Sequence, residues 1–270
     1  MSLFSDGKGL PTAPSARSSD TQTSVKSALR AVQVFEFFLE IRRSATAKEV
    51  SVGLDIPQSS TSMLLRSLRD HGYLDYDSKD RTYLPTPRVT LLGAWLDRGP
   101  IRDGRLIDAL KWLSDQTLEA IIVAARVGIF SHYIYVMQAK GNLRYHIPMG
   151  SRRLAVHSAT GHVLLSRLED SEIASIVRRT NSEIDDVQLD PRETIGSIRQ
   201  TRTDGYAFSR GLVTAGAGAI AVPLPEAIDT TGRALAICIA GALPDLIERE
   251  DDLVEKLKSA AKRAVGEVAA

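Results

Sequence analysis

Cysteine is nearly absent from this chain. Cys238 is the only one in 270 residues, so no internal disulfide can form. Long apolar runs are absent too: none approaches the roughly 20 residues needed to span a bilayer. The first residues lack the charged-then-apolar pattern of a secretory signal. Together these absences point to the cytoplasm and to no membrane partner. Charge of one sign is also lacking. The formal net charge is +1, which by itself argues for no partner. Hydrophobic content of 43% and charged content of 25% are those of an ordinary soluble protein. The length allows two modest domains or one large one, and no internal repeat is visible.

Catalytic patterns are equally scarce. His71, His132, His146, His157 and His162 show no metal-ligand spacing with Cys or carboxylates. His157 and Ser158 carry the atoms of a nucleophile and its base, but chain neighbours rarely point at each other and no orienting acid is evident. The glycine-rich run GLVTAGAG at 211–218 lacks the Lys-Ser/Thr of a phosphate loop and the spacing of a dinucleotide fingerprint. Cys238 lies in an apolar strand, where a thiol is usually inert. No cofactor is expected, and an enzyme acting on a small carboxylate through the second half is the alternative reading.

What is present is most informative at 46–74, TAKEVSVGLDIPQSSTSMLLRSLRDHGYL. It reads as a short helix, a tight turn, a second helix and the start of a strand. Val50, Leu54 and Ile56 are apolar around the turn, and Leu64, Leu65 and Leu68 recur at helical spacing. Pro57 suits the first turn of the second helix, and Gly72 stops it. Gln58, Ser59, Ser60 and Ser62 are short, polar and off the leucine face. A helix with that front end can enter a major groove without steric conflict. Strand, polar turn and strand then follow from Asp75 to Leu84, as in a wing.

The run from Pro57 to Leu68, His71-Gly72-Tyr73-Leu74, and the stretch YLPTPRVTLLG at 83–93 resemble the IclR family of bacterial transcriptional regulators. Asp55 stands where that family usually has Gly; Asp tolerates a left-handed backbone. Met63 stands where Arg is frequent, which removes one candidate phosphate or base contact. A DNA reader must gather its cations on one face. Residues 24–93 hold ten Lys/Arg against eight Asp/Glu. Lys26, Arg30, Arg66, Arg69, Lys79, Arg81 and Arg88 are the candidates, and Arg66, Lys79 and Arg81 are expected to hold phosphates.

On either side of this unit the pattern is simpler. Residues 1–23 are rich in Ser, Thr, Gly and Pro and read as a disordered tail. A first helix opens at Ser24 with a stripe of Val25, Leu29, Val32, Phe35 and Leu39, widened by Phe37 and Phe38; Phe35 and Phe38 read as core. Residues 88–96 form an apolar-sided helix ended by Gly99-Pro100, an interdomain linker. DNA half-sites come in pairs, so a homodimer or tetramer is expected.

The second half mixes strands and helices, an α+β pattern. A helix is expected at 102–117. Strands are expected at 120–127, 132–138, 143–149, 206–210, 217–223 and 233–240. Further helices are expected at 158–168, 171–179, 192–203 and, as one long closing helix, 245–265. The loop GSRRLAVHSATGHVLL at 150–165, Asp204-Gly205-Tyr206, the strand at 218–223 and the strand at 235–241 also resemble the IclR family, with Leu154 where a Pro is frequent. The resemblance covers roughly 24–265. It implies a GAF-like domain that binds a small effector between sheet and loop.

The residues themselves make such a site reasonable. Ser158, Ala159 and Gly161 place small side chains and backbone N–H groups at a helix start, which favours an anion such as a carboxylate. Ala219, Cys238 and Ala240 are small and leave room on the facing strands. Met149 and Ile147 are candidates for an apolar wall, and Arg210 for a charged anchor at the rim. For each, ordinary packing or capping is the competing role. Cys238 and Ala240 replace polar family residues, which suggests an effector with an apolar or aromatic body.

The expected organisation is therefore an N-terminal all-α winged helix-turn-helix domain (24–87), a linker helix (88–100) and a C-terminal α+β GAF-like effector-binding domain (101–270). Its partners would be double-stranded operator DNA and a small organic or aromatic acid of catabolism. An effector-free DNA-architectural protein is a second alternative, to be marked by a second domain with no cavity.

Overall fold

The computed structural model describes residues 26–93, 101, 103–141, 146–185, 187–212, 214–229 and 232–267. The tail at 1–23 and the linker positions 94–100 lie outside them. Two compact units divide between Val89 and Thr90, inside helix α4.

The first unit runs α1 (Lys26–Ile41), β1 (Ala45–Thr46), α2 (Ala47–Leu54), α3 (Gln58–Asp70), β2 (Leu74–Asp77), β3 (Thr82–Pro85) and α4 (Pro87–Gly93). Three strands in the order β1-β3-β2 form a small antiparallel sheet beside the helices. A capping box starts α2: the Thr46 hydroxyl accepts from the Glu49 amide, and the Glu49 carboxylate accepts from the Thr46 amide at 2.8 Å. Asp55 ends α2 in the left-handed region, φ 52°, where its backbone N–H meets the Val52 and Ser51 carbonyls. Pro57 sits one residue earlier than expected, at the cap of α3 rather than within its first turn.

Val34, Phe38, Val50, Leu65, Leu74 and Tyr83 make the core, with Phe35, Phe37, Ile41, Leu64 and Leu68 packed around it. Gly53 lets α1 and α2 touch: a Cβ there would run into the Phe37 ring. The apolar stripe read for α1 is corrected here. Leu29, Val32 and Leu39 are 52%, 54% and 46% exposed. The helix is apolar on more than one face: Val34, Phe37, Phe38 and Ile41 meet the core, and of the stripe as read only Phe35, at its edge, packs there among the described residues.

The second unit runs α5 (Arg105–Thr117), β4 (Ala120–Val127), β5 (Phe130–Met137), β6 (Arg152–Leu154), α6 (Ala159–Leu165), α7 (Asp170–Glu183), α8 (Pro191–Asp204), β7 (Ala207–Arg210), β8 (Ala217–Pro223), β9 (Leu235–Ala242), α9 (Leu243–Glu248) and α10 (Glu250–Ala264). Its strands form one antiparallel sheet in the order β6-β5-β4-β9-β8-β7. One face carries Ile121, Val123, Ile220, Val222, Ile237 and Ile239 against α5 and α10. The other carries Ile122, Ala124, Ala221, Ala236 and Cys238 against Ala159, Val163 and Leu164 of α6. Alternation along β8 and β9 therefore sorts isoleucine and valine to one side and alanine and cysteine to the other, whereas β4 and β5 keep Ile122 and Tyr133 on the α6 side.

Two expectations fail. Residues 146–149 are not a strand; the third strand is β6, which pairs with β5 through Phe130↔Leu154. Leu143 to Tyr145 lie outside the described residues. The closing helix is two helices broken at Arg249, whose φ of −111° leaves the helical region. Arg249 turns its guanidinium to Glu119 (3.3 Å) instead. No helix among the described residues is long and apolar enough to cross a membrane.

Candidate functional sites

In the first unit, α3 buries Thr61 and Leu65 and turns its polar side outward. The Thr61 hydroxyl is spent on the Ile56 and Pro57 carbonyls (3.3 and 3.2 Å), which fixes the front of the helix. Gln58, Ser59 and Arg66 are exposed, while Ser60 and Ser62 are half-buried. At about 100° per residue, Ser59, Ser62, Met63 and Arg66 share one face.

The strands β2 and β3 present an exposed tip carrying Lys79 and Arg81, with Arg81 left-handed at φ 55°. Asp77 shapes that tip by accepting from the Lys79 and Asp80 amides at 2.7 and 3.2 Å. Among the described residues, Arg66, Lys79 and Arg81 engage no carboxylate. Two other candidate cations are committed elsewhere: Arg69 pairs with Asp70 at 2.6 Å. Arg88 stacks 4.8 Å from the Tyr73 ring centroid and donates to the His71 carbonyl.

In the second unit, a cavity of about 220 Å³ lies between the sheet and the start of α6. At ~30 Å³ per water, that is room for about seven. Ile122, Ala219 and Ala240 form its floor and Ile147 a wall. Ser158, Thr160, Ser209 and Thr214 bring hydroxyls to it; Tyr133, Arg153 and His146 complete the polar set. No Asp or Glu borders it among the described residues. Ile147 is held in place by Gln138, whose side-chain amide donates to the Ile147 carbonyl (2.7 Å) and accepts from its N–H (3.1 Å).

The polar groups are partly pre-committed. Ser158 caps α6: its hydroxyl accepts from the Gly161 amide (3.2 Å) and donates to the Leu154 carbonyl (3.0 Å). Ser131 donates to Thr160 at 2.8 Å, and the Thr160 hydroxyl also hydrogen-bonds the Tyr133 phenol. Tyr133 is pushed up to about 12 by burial, so its phenol stays protonated. Arg153 lies half-buried 5.7 Å from the Tyr133 ring centroid and, among the described residues, pairs with no carboxylate.

The structure brings Ser158, Ala159, Ala219 and Ala240 together with Ile147 around this cavity. It does not bring four other candidates there. Gly161 packs beneath it: a Cβ on Gly161 would stand 2.5 Å from the Ala155 carbonyl carbon and closer still to its oxygen. Cys238 shares the sheet face but is wholly covered by α6, and its thiol is pushed up by burial. Met149 does not border the cavity. Arg210 instead faces a second hollow of about 430 Å³, more open than the first, where it pairs with Glu250 at 2.6 Å and stacks on Phe208.

Arg153, Tyr133 and Thr160 also line the cavity and are not among the residues that the sequence singles out. Arg153 lies within the loop at 150–165, and its alternation with Arg152, which stacks on Phe130 instead, was the available signal. A second unit without a cavity, the mark of an architectural protein, is not what is found. Among the described residues no cluster of three His, Cys, Asp or Glu could hold a metal.

Comparison with known proteins gives consistent matches for both units. Residues 27–78 match the model of the IclR helix-turn-helix domain. Residues 104–265 match that of the bacterial transcriptional regulator IclR C-terminal domain. The Pca regulon regulatory protein of Pseudomonas putida is 27% identical over 226 residues, covering 80% of this chain and 73% of that one. The crystal structure of an IclR transcriptional regulator from Alicyclobacillus acidocaldarius superposes with a TM-score of 0.58 at 20% identity, covering 92% and 100% of the two chains. An IclR homologue from Microbacterium hydrocarbonoxydans, crystallised in complex with 4-hydroxybenzoate, gives a TM-score of 0.56 at 18% identity, covering 90% and 98%.

Proposed function

Because the chain belongs to the IclR family of bacterial transcriptional regulators, we propose how its residues divide the work of a DNA-binding regulator governed by a small-molecule effector. Gln58, Ser59, Ser60 and Ser62 read base edges in the major groove. Arg66, Lys79 and Arg81 hold phosphates and set the register. The effector is a small organic acid with an apolar or aromatic body, seated in the 220 Å³ cavity.

One observation carries the effector assignment: Arg153, a cation without a carboxylate partner among the described residues, beside a cavity whose remaining lining is apolar or hydroxyl-bearing apart from the His146 imidazole. A carboxylate there gains a charge-assisted hydrogen bond. The apolar body displaces water from Ile122, Ile147, Ala219 and Ala240. The match to a homologue crystallised with 4-hydroxybenzoate supports a monocyclic acid of this class. The protein works in the cytoplasm as a dimer or tetramer on paired operator half-sites, and the effector acts by binding one arrangement of the paired units better than the other.

Two variants test the division. Arg153→Met should weaken binding of benzoate or 4-hydroxybenzoate, followed by calorimetry, at least tenfold, from roughly 1.5–3 kcal/mol per hydrogen bond to a charged group. Its affinity for DNA should stay unchanged. Ser59→Glu should abolish binding to a duplex from upstream of its own gene and leave acid binding intact. Equal loss of both activities in either variant would contradict the assignment.

A further inference from the structure

Helix α3 has four large apolar side chains. Leu65 is buried, Leu64 and Leu68 pack against the core cluster, and Met63 is 70% exposed. Met63 does not belong to the buried side: it is flanked on the outward face by Ser59, Ser62 and Arg66. Nothing in the unit's packing accounts for it there.

Every other group on that face donates or accepts hydrogen bonds. A thioether is at most a weak acceptor. In a major groove, most base-edge groups are donors or acceptors, and pressing a methionine against one leaves it unpaired. The single apolar group on those edges is the 5-methyl of thymine. We propose that Met63 is a specificity-determining residue that selects thymine by packing on this methyl group. Cytosine is disfavoured at that base because it lacks the methyl group, and the purines because they would present the thioether with an unsatisfied polar edge. The inference rests on α3 being the DNA-reading helix, as proposed above.

Removing the methyl alone tests it. Duplexes that bind the full chain are selected from a randomised pool, and each thymine of the selected consensus is replaced in turn by deoxyuridine. For the wild-type chain, one replacement should weaken binding about fourfold, the equivalent of one buried CH₂ unit. Met63→Ala should bind the thymine and deoxyuridine duplexes equally, and selection with it should relax at that base. Met63→Leu, which keeps an apolar side chain, should retain the discrimination. Indifference of the wild type to every replacement overturns the proposal, as does an unchanged penalty in Met63→Ala. Failure of the wild type to select any sequence overturns the DNA-reading assignment itself, and this proposal with it.

Discussion

Replacing Gly161 by alanine sets two effects against each other. In an open helix the change favours folding by about 1 kcal/mol, because alanine loses less backbone entropy. Gly161 is not in the open. Its Cβ would overlap the carbonyl of Ala155. That carbonyl belongs to a turn fixed by a hydrogen bond from the Ala155 amide to the Ile129 carbonyl at 2.9 Å. No rotamer can relieve a collision with backbone, so the cost falls at the upper end of overpacking, about 3 kcal/mol.

The net is about 2 kcal/mol of destabilisation. For a unit of this size that is a fall of about 4–8 °C in melting temperature. Gly196 is the matched control. It lies in α8, and a methyl added there would meet nothing within 4 Å. Gly196→Ala should therefore melt about 1–4 °C above the wild type. Scanning calorimetry of the three full-length chains decides the matter. If Gly161→Ala melts at or above the wild type, or the two variants shift in the same direction, the packing account of Gly161 is wrong.

Other expectations follow from single contacts. Gln138→Ala removes both hydrogen bonds to the Ile147 backbone; amide exchange at Ile147 should accelerate about tenfold, and benzoate binding should weaken, by roughly 0.5–1.5 kcal/mol per bond. Glu49 is lowered to about 2 by the Thr46 amide first and the Arg43 guanidinium second. With the folded value depressed, the capping contact is fully present above the ordinary carboxylate value of 4.5 and is lost as pH falls through about 2. A carboxyl NMR titration should place the midpoint there. Arg43→Met should move it upward, and an ordinary midpoint in the wild type would exclude the capping box in solution.

Local chemistry was the most legible part of the chain. The left-handed Asp55, the polar front of α3 and the strand at Ala217–Pro223 depend on neighbours a few residues away, and each is readable from spacing. What failed depended on choices between equivalent local patterns. Helix α1 offers two apolar stripes, and only the fold decides which is covered. The break at Arg249 answers to Glu119, which is 130 residues distant. The cavity follows the same rule. Small residues point to Ala219 and Ala240, which do border the cavity, but the same signal also draws in Cys238, which is buried in the cluster packed with α6. Arg210 was a fair candidate by charge alone. Its carboxylate partner comes from α10, and no local spacing announces that.

The lopsided sheet of the second unit carries an evolutionary consequence. Its isoleucine-and-valine side anchors the fold against two helices, whereas its alanine side borders the chamber. Exchanging Ala219 or Ala240 for valine would trim the chamber by two methyl groups and leave the opposite side untouched. With the effector seated there as proposed, descendants of such a protein would retune what they sense in small steps, with the architecture that keeps them folded held constant.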